Sequence, residues 1–180
     1  MYYEWFRDPY ERAYVRSARV ESLDDRIAHI TEKILEGRAD PFVRKLAIEA
    51  VRHVPPRDWL GEVRAIWDFV TSNVRYTLDP YLRDMYQRAR RTLQLGGGDC
   101  DDLTILMGAM LMSIGHPVAL KVIDTYDGEG WNHIYLLTGI PPQRPVKWIP
   151  LDPSMPEKGM GWEMPEEYVR RSVIYVLEEV

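Results

Sequence analysis

Three residues of this 180-residue chain could together perform nucleophilic chemistry: Cys100, His133 and Asp152. Cys100 is the only cysteine. It stands in GGGDCDDLTILMGAMLMSIG, residues 96–115, where a glycine run gives way to a long apolar segment. A thiol attacks as its thiolate, and a helix N-terminus favours that anion through its partial positive charge and its N–H groups. The same N–H groups can hold an oxyanion. Gly96, Gly97 and Gly98 let backbone and substrate approach closely. His133 follows 33 residues later in WNHIYLL, and Asp152 a further 19 residues on in KWIPLDPS. An imidazole beside a thiol can take its proton, and a carboxylate beside the imidazole orients it.

Each of the three also has a plain structural role open to it. A cysteine can pack at a helix start, a histidine on an apolar strand face can be a satisfied core residue, and Asp-Pro is a common turn starter. The other histidines, His29, His53 and His116, fall on a helix face, at a helix end and in a loop. Asp99 is placed to cap the helix that begins at Cys100, and Asp101 and Asp102 fall in its first turn, where acids suit the dipole. Carboxylates near Cys100 would raise its pKa, so both are expected to point away from the sulfur. Asp102 has an alternative use, holding the preceding loop through backbone hydrogen bonds. One cysteine can form no internal disulfide and cannot alone supply a four-thiolate zinc site. A mixed zinc set of Cys100, His133 and Asp152 is a competing reading, but the glycine-rich helix start is better explained by an oxyanion site. Three acids in one helical turn cannot all face one ion, so no metal and no cofactor is expected.

The elements that must position these residues follow from periodicity. SLDDRIAHITEKILEG reads as a helix capped by Ser22 or Asp24, with Leu23, Ile27, Ile30, Ile34 and Leu35 on one stripe and Gly37 as its stop. DPFVRKLAIEAVRHV opens with the cap-plus-proline pattern and ends before Pro55-Pro56. A third helix carries Trp59, Val63, Ile66, Trp67 and Val70 on one side, then RYTLDP breaks into an extended link. Residues 81–95 read as a short helix and a loop. The segment after Asp99 is apolar almost all round, so its helix should be buried, ending at Gly115. PVALKVIDTY, WNHIYLLTG and VKWIPLDP are strand-like, and alternation puts His133 on one face with Trp131, Tyr135 and Leu137. The tail EEYVRRSVIYVLEEV fits a strand or a helix. Helices first and a mainly antiparallel sheet after them make an α+β fold.

As a set, GGGDCDDLTILMGAMLMSIGHPV, WNHIYLL and KWIPLDPS resemble the transglutaminase-like superfamily within the papain-like cysteine protease fold, in the short form found in bacteria and tailed phages. EVRAIWDFVTSNVRYTLDP resembles the segment preceding that family's catalytic helix, so the resemblance covers about residues 58–155. It implies a papain-like core with a buried catalytic helix on an antiparallel sheet, taken as residues 58–180. Residues 1–57 carry no role from the resemblance and are expected to form an N-terminal helical cap packed on that core. It implies Cys100 as nucleophile, His133 as its imidazole partner, Asp152 to orient His133, and the Cys100 N–H as an oxyanion donor. Gln94 stands where papain-like enzymes often carry an oxyanion glutamine, though the superfamily varies there. Gly98, Trp131, Tyr135 and Trp148 become candidates for the substrate groove, and Trp162 in EKGMGWEM for its rim. For the aromatics, a core role is the alternative.

The activity implied is cysteine-dependent acyl transfer on a protein or peptide amide. Hydrolysis of a peptide or isopeptide bond is slightly favoured, protein-glutamine transamidation comes next, and a non-catalytic assembly module of a phage or bacterial particle is the contrasting class. The net charge of −5 and pI near 5.4 give no general attraction for a polyanion, so nucleic acid is not expected as a partner. The longest apolar run, ILMGAMLM, is too short to span a bilayer, and no membrane is expected. The opening MYYEWFRDPYERAYVRS, with Glu4 and Asp8, does not read as a signal peptide. A cytoplasmic or phage-particle location is therefore expected.

Overall fold

The computed structural model describes residues 22–78 and 86–177. The opening stretch read for a signal peptide, part of the 1–57 segment, and residues 79–85 and 178–180 lie outside the described residues.

The first three helices each start where a capping side chain is available. α1 (Leu23–Ala39) is capped by Ser22, whose hydroxyl accepts from the Asp25 N–H at 3.2 Å. α2 (Pro41–Val51) is capped by Asp40, with proline at its first position. α3 (Trp59–Asn73) is capped by Asp58, and it buries Val63, Ile66, Trp67 and Val70. Gly37 does not end α1. The helix runs two residues further, because the missing side chain lets α1 lie against its neighbours. A Cβ on Gly37 would come within 2.7 Å of the Ala109 Cβ and 2.9 Å of the Ala89 Cβ.

The link after α3 and the glycine run pair with each other. β1 (Arg75–Tyr76) and β2 (Gly97–Gly98) form a two-stranded parallel ribbon, with Tyr76 opposite Gly98. The short helix α4 (Ala89–Leu95) precedes β2 and ends on Gly96 in the left-handed region, at φ +66°. This ribbon fixes the direction in which the chain arrives at α5 (Cys100–Ser113).

α5 is buried continuously from Asp101 to Ser113. Helices α1 to α4 surround it on one side, and β3 (Val118–Thr125) and β4 (His133–Ile140) cover the other. It ends in a Schellman motif: the His116 N–H donates to the Leu111 carbonyl at 3.0 Å and the Gly115 N–H to Met112 at 3.1 Å, with Gly115 at φ +92°. Among the described residues no helix is long and apolar enough to cross a membrane.

The antiparallel sheet has the order β5-β4-β3-β6, with β5 at Lys147–Leu151 and β6 at Val169–Val176. The ambiguous tail is thus a strand after a 3-10 turn at Glu166–Tyr168, paired along β3. Val118, Leu120, Val122, Ile134 and Leu136 face the helices. Ala119, Ile123, Tyr135 and Leu137 form a smaller cluster on the opposite face, with Trp148, Met164 and Val169. Trp131 does not share that face with Tyr135. β4 begins only at His133, so Trp131 precedes the pleat and packs against the main core. The expected α+β arrangement, a buried helix on an antiparallel sheet after an N-terminal helical segment, is the one observed.

Candidate active site

Asp99 sets the start of α5. Its Oδ1 accepts from the N–H groups of Asp101 at 2.9 Å and Asp102 at 3.1 Å. Cys100 is the first helical residue and half-buried. The backbone N–H of Ile134, the residue after His133, favours the sulfur's anion, and the Thr104 hydroxyl of the same helix donates to the Ile134 carbonyl at 3.4 Å. The helix start and the first residues of β4 therefore meet at the thiol.

His133 and Asp152 are joined directly. His133 Nε2 and Asp152 Oδ2 are 2.7 Å apart, with side chains 18% and 4% exposed. Asp152 follows β5, the strand paired with β4. Its other oxygen accepts from the Ser154 hydroxyl at 2.6 Å and the Ser154 N–H at 3.2 Å. With Nε2 turned to Asp152, Nδ1 is the nitrogen left for proton exchange with another group.

The three acids around Cys100 have separate uses. Asp102, fully buried, accepts from the Gln87 N–H at 2.7 Å and the Gln87 Nε2 at 2.5 Å. It holds the chain just before α4, the loop-holding role open to it from the sequence. Asp101 accepts from Arg26 Nη2 at 2.6 Å, and Arg26 Nη1 also donates to the Trp131 carbonyl at 2.8 Å. Asp101 nevertheless acts on the thiol. Burial pushes the Cys100 thiol up to about 12, and the negative charges of Asp101 and Asp99 add to the rise, while Arg26 and the Ile134 N–H oppose it. The Asp101 carboxylate is turned to Arg26, yet its charge still bears on the thiol, and Arg26 opposes only part of that effect. For Arg26 itself, burial works against the charge, but attraction and hydrogen bonding from Asp101 outweigh it and hold the guanidinium above its ordinary value.

Tyr76 is drawn into the same field. Burial raises its phenol, and Cys100, Asp99, Asp152 and Asp101 push it the same way.

Of the remaining sequence candidates, Tyr135 touches this centre through the ring of His133. Gly98 packs on the Asp102 side chain, where a Cβ would come within 2.5 Å of the Asp102 Cβ. The ring of Tyr135 lies 5.8 Å from that of His133, and its hydroxyl donates to Glu163 at 3.0 Å. Tyr135 is 1% exposed. Trp131 is half-buried, under the Arg171 guanidinium at 4.4 Å. Trp162 sits beneath Lys158 at 5.9 Å, and Gln94 is exposed on α4. Among the described residues no hydrogen bond or ring contact joins Gln94 or Trp162 to Cys100, His133 or Asp152. No group of three or more His, Cys, Asp or Glu side chains among the described residues is arranged to hold a metal ion.

Arg26, Gln87, Tyr76 and Ser154 are participants that sequence reasoning missed. Ser154 had a signal, since Asp-Pro-Ser is a natural Asx turn. Gln87 and Arg26 had none, because their partners lie 15 and 75 residues away.

The family model of the transglutaminase-like superfamily matches residues 44–153, more than half of the chain. The chain belongs to the transglutaminase-like superfamily. No curated protein matches. This superfamily member is similar in fold to three solved structures of low sequence identity. One is a proposed protease from Parabacteroides distasonis, with TM-score 0.54 and 12% identity, covering 72% of this chain and 29% of that one. Another is a proposed cysteine protease from Cytophaga hutchinsonii, with TM-score 0.53 and 17% identity, covering 91% and 55%. The third is LapG of Legionella pneumophila, with TM-score 0.52 and 15% identity, covering 83% and 87%. The chain thus spans well under two thirds of the first two relatives.

Proposed function

We propose that this superfamily member transfers acyl groups from a protein or peptide amide through Cys100, His133 and Asp152. The observation that carries the reading is the 2.7 Å contact of a buried Asp152 with His133, whose next residue on β4, Ile134, accepts from Thr104 of the helix that begins at Cys100.

The chemistry follows from the arrangement. The resting thiol is neutral, because burial and the acids disfavour its anion. As sulfur attacks the carbonyl carbon, its proton passes to His133 Nδ1. Asp152 steadies the imidazolium through Nε2. The oxyanion takes the Cys100 N–H, since Asp99 already occupies the next two N–H groups of the helix. His133 then returns the proton to the departing amine, leaving a thioester. Water as acceptor gives hydrolysis, and a lysine amine gives transamidation. We put hydrolysis first, a preference supported by the protease descriptions of two neighbours of similar fold. The contrasting reading, a non-catalytic module, draws on one observation, the suppressed ionisation of Cys100.

The test is to incubate the protein and its Cys100→Ser variant with a peptide library, with and without a primary amine, and to weigh the products. Cleaved peptides that need Cys100 support hydrolysis, and amine adducts that need Cys100 support transamidation. No Cys100-dependent product under either condition would leave the non-catalytic reading standing.

A further inference from the structure

Arg26 lies outside the stretch that matches the superfamily, on a helix read at first only as a cap. Its guanidinium nevertheless reaches both halves of the candidate site. It donates to Asp101, the residue after Cys100, and to the carbonyl of Trp131, two residues before His133. The side chains of the Arg26–Asp101 pair are 16% and 7% exposed, so solvent screens the pair poorly. A single planar fork thus ties α1 to the start of α5 and to the approach to β4.

The charges around the thiol explain what this fork does. Asp99 and Asp101 belong to the start of α5 and oppose a negative sulfur. From β4 comes His133, from the end of β5 Asp152, and from β1 Tyr76, which senses Cys100, Asp99, Asp152 and Asp101. Arg26 is the cation that α1 brings to this group, and Cys100 and Arg26 act on each other. Loss of Arg26 would remove a part-buried cation held 2.6 Å from the Asp101 carboxylate, one residue from the nucleophile.

We infer that Arg26 is a positioning residue of the active site, neutralising Asp101 so that Cys100 can give up its proton, and holding the helix start against the approach to His133. This rests on the acyl-transfer reading above, because it assigns Arg26 to the reactivity of that thiol. Arg26 acts through Asp101 and Trp131, and touches no substrate in this role.

The test is the pH dependence of Cys100 alkylation by iodoacetamide in the full chain, with Arg26→Gln, Asp101→Asn, the double variant and His133→Ala. With Arg26→Gln the rate at pH 7 is expected to fall about tenfold, the equivalent of one pKa unit at the thiol, and the profile to move to higher pH. Asp101→Asn alone should move it to lower pH. The double variant should recover most of the rate lost in Arg26→Gln, which lost packing alone would not allow. Should Arg26→Gln fail to fold, the Asp101→Asn profile still decides. The inference is overturned if Arg26→Gln overlays the wild type, if the double variant is no faster than Arg26→Gln, or if Asp101→Asn moves the profile to higher pH. His133→Ala separates the two readings. If it leaves the wild-type profile unchanged, the acyl-transfer reading fails; if it lowers the rate while Arg26→Gln does not, only the role of Arg26 fails.

Discussion

Gly98 and Asp102 share one small space: a Cβ at residue 98 would lie 2.5 Å from the Asp102 Cβ and 2.8 Å from its Oδ2. Neither neighbour can yield cheaply. Gly98 is held in the β1–β2 ribbon, and the Asp102 carboxylate is held by Gln87. Gly98→Ala should therefore destabilise the protein by about 1–3 kcal/mol, the usual cost of overpacking. It should also slow Cys100 alkylation, because the ribbon leads into the helix start. Urea unfolding and iodoacetamide labelling measure the two effects.

Asp102 is best tested by truncation. Asp102→Ala removes the acceptor from two part-buried donors of Gln87, and is expected to cost about 1–3 kcal/mol. Asp102→Asn keeps one acceptor oxygen and should cost less. Equal unfolding midpoints for the two variants would contradict this use of the carboxylate.

The Gly37 contact predicts a coupled pair. Gly37→Ala should cost about 1–3 kcal/mol by pushing α1 away from α5. Ala109→Gly in the same chain should return part of that loss, since it removes the atom 2.7 Å from the new Cβ. A double-mutant cycle by denaturant unfolding reads the coupling.

Asp152→Asn tests the orientation of His133. The amide can occupy the same place without the charge that steadies an imidazolium. Loss of the correct histidine tautomer is expected to lower turnover of any cleaved peptide by about 10²–10⁴-fold, the range of general acid–base contributions, with little change in unfolding midpoint.

The raised thiol makes a prediction for alkaline stability. The folded state keeps the Cys100 proton up to about 12, above the ordinary value of 9.0, so it holds more protons than the unfolded chain in between. Unfolding stability must then fall as pH rises through that window. The contribution is fully present below the unfolded value and lost as pH passes the folded one. Cys100→Ser should show a shallower decline. The difference should stay below the one-proton slope of about 1.4 kcal/mol per pH unit, because Cys100 is only half-buried. Urea midpoints of both proteins from pH 8 to pH 11 give this slope.

The frame of the site was legible because its signals are local. Asp99 before an all-apolar run marks a capped, buried helix, and Gly115 marks its end. Strand alternation gave Tyr135 and Leu137 the face of His133, and misplaced Trp131 only because the strand starts two residues later. The tail stayed ambiguous because β6 is an edge strand. Its Ile174 and Val176 are exposed apolar residues, so apolar side chains occur on both faces and no single period dominates. Gly37 read as a stop because glycine is also a packing residue, and only the facing Ala109 and Ala89 tell the two apart. The bonds that tune the thiol were illegible for a different reason. Arg26 sits among the polar residues of an amphipathic helix, and nothing nearby in sequence announces an acid 75 residues away.

The all-round burial of α5 also shapes how the chain must fold. A helix with no polar face has no stable surface state, so it must be covered as it forms by α1 to α4 and by β3 and β4. Before that enclosure is complete, ILMGAMLM is a sticky segment in search of any apolar partner, including another copy of itself. Refolding yield from urea should therefore drop as protein concentration rises, and the same helix that mounts the thiol rigidly should be the chief source of aggregation on the way to the native state.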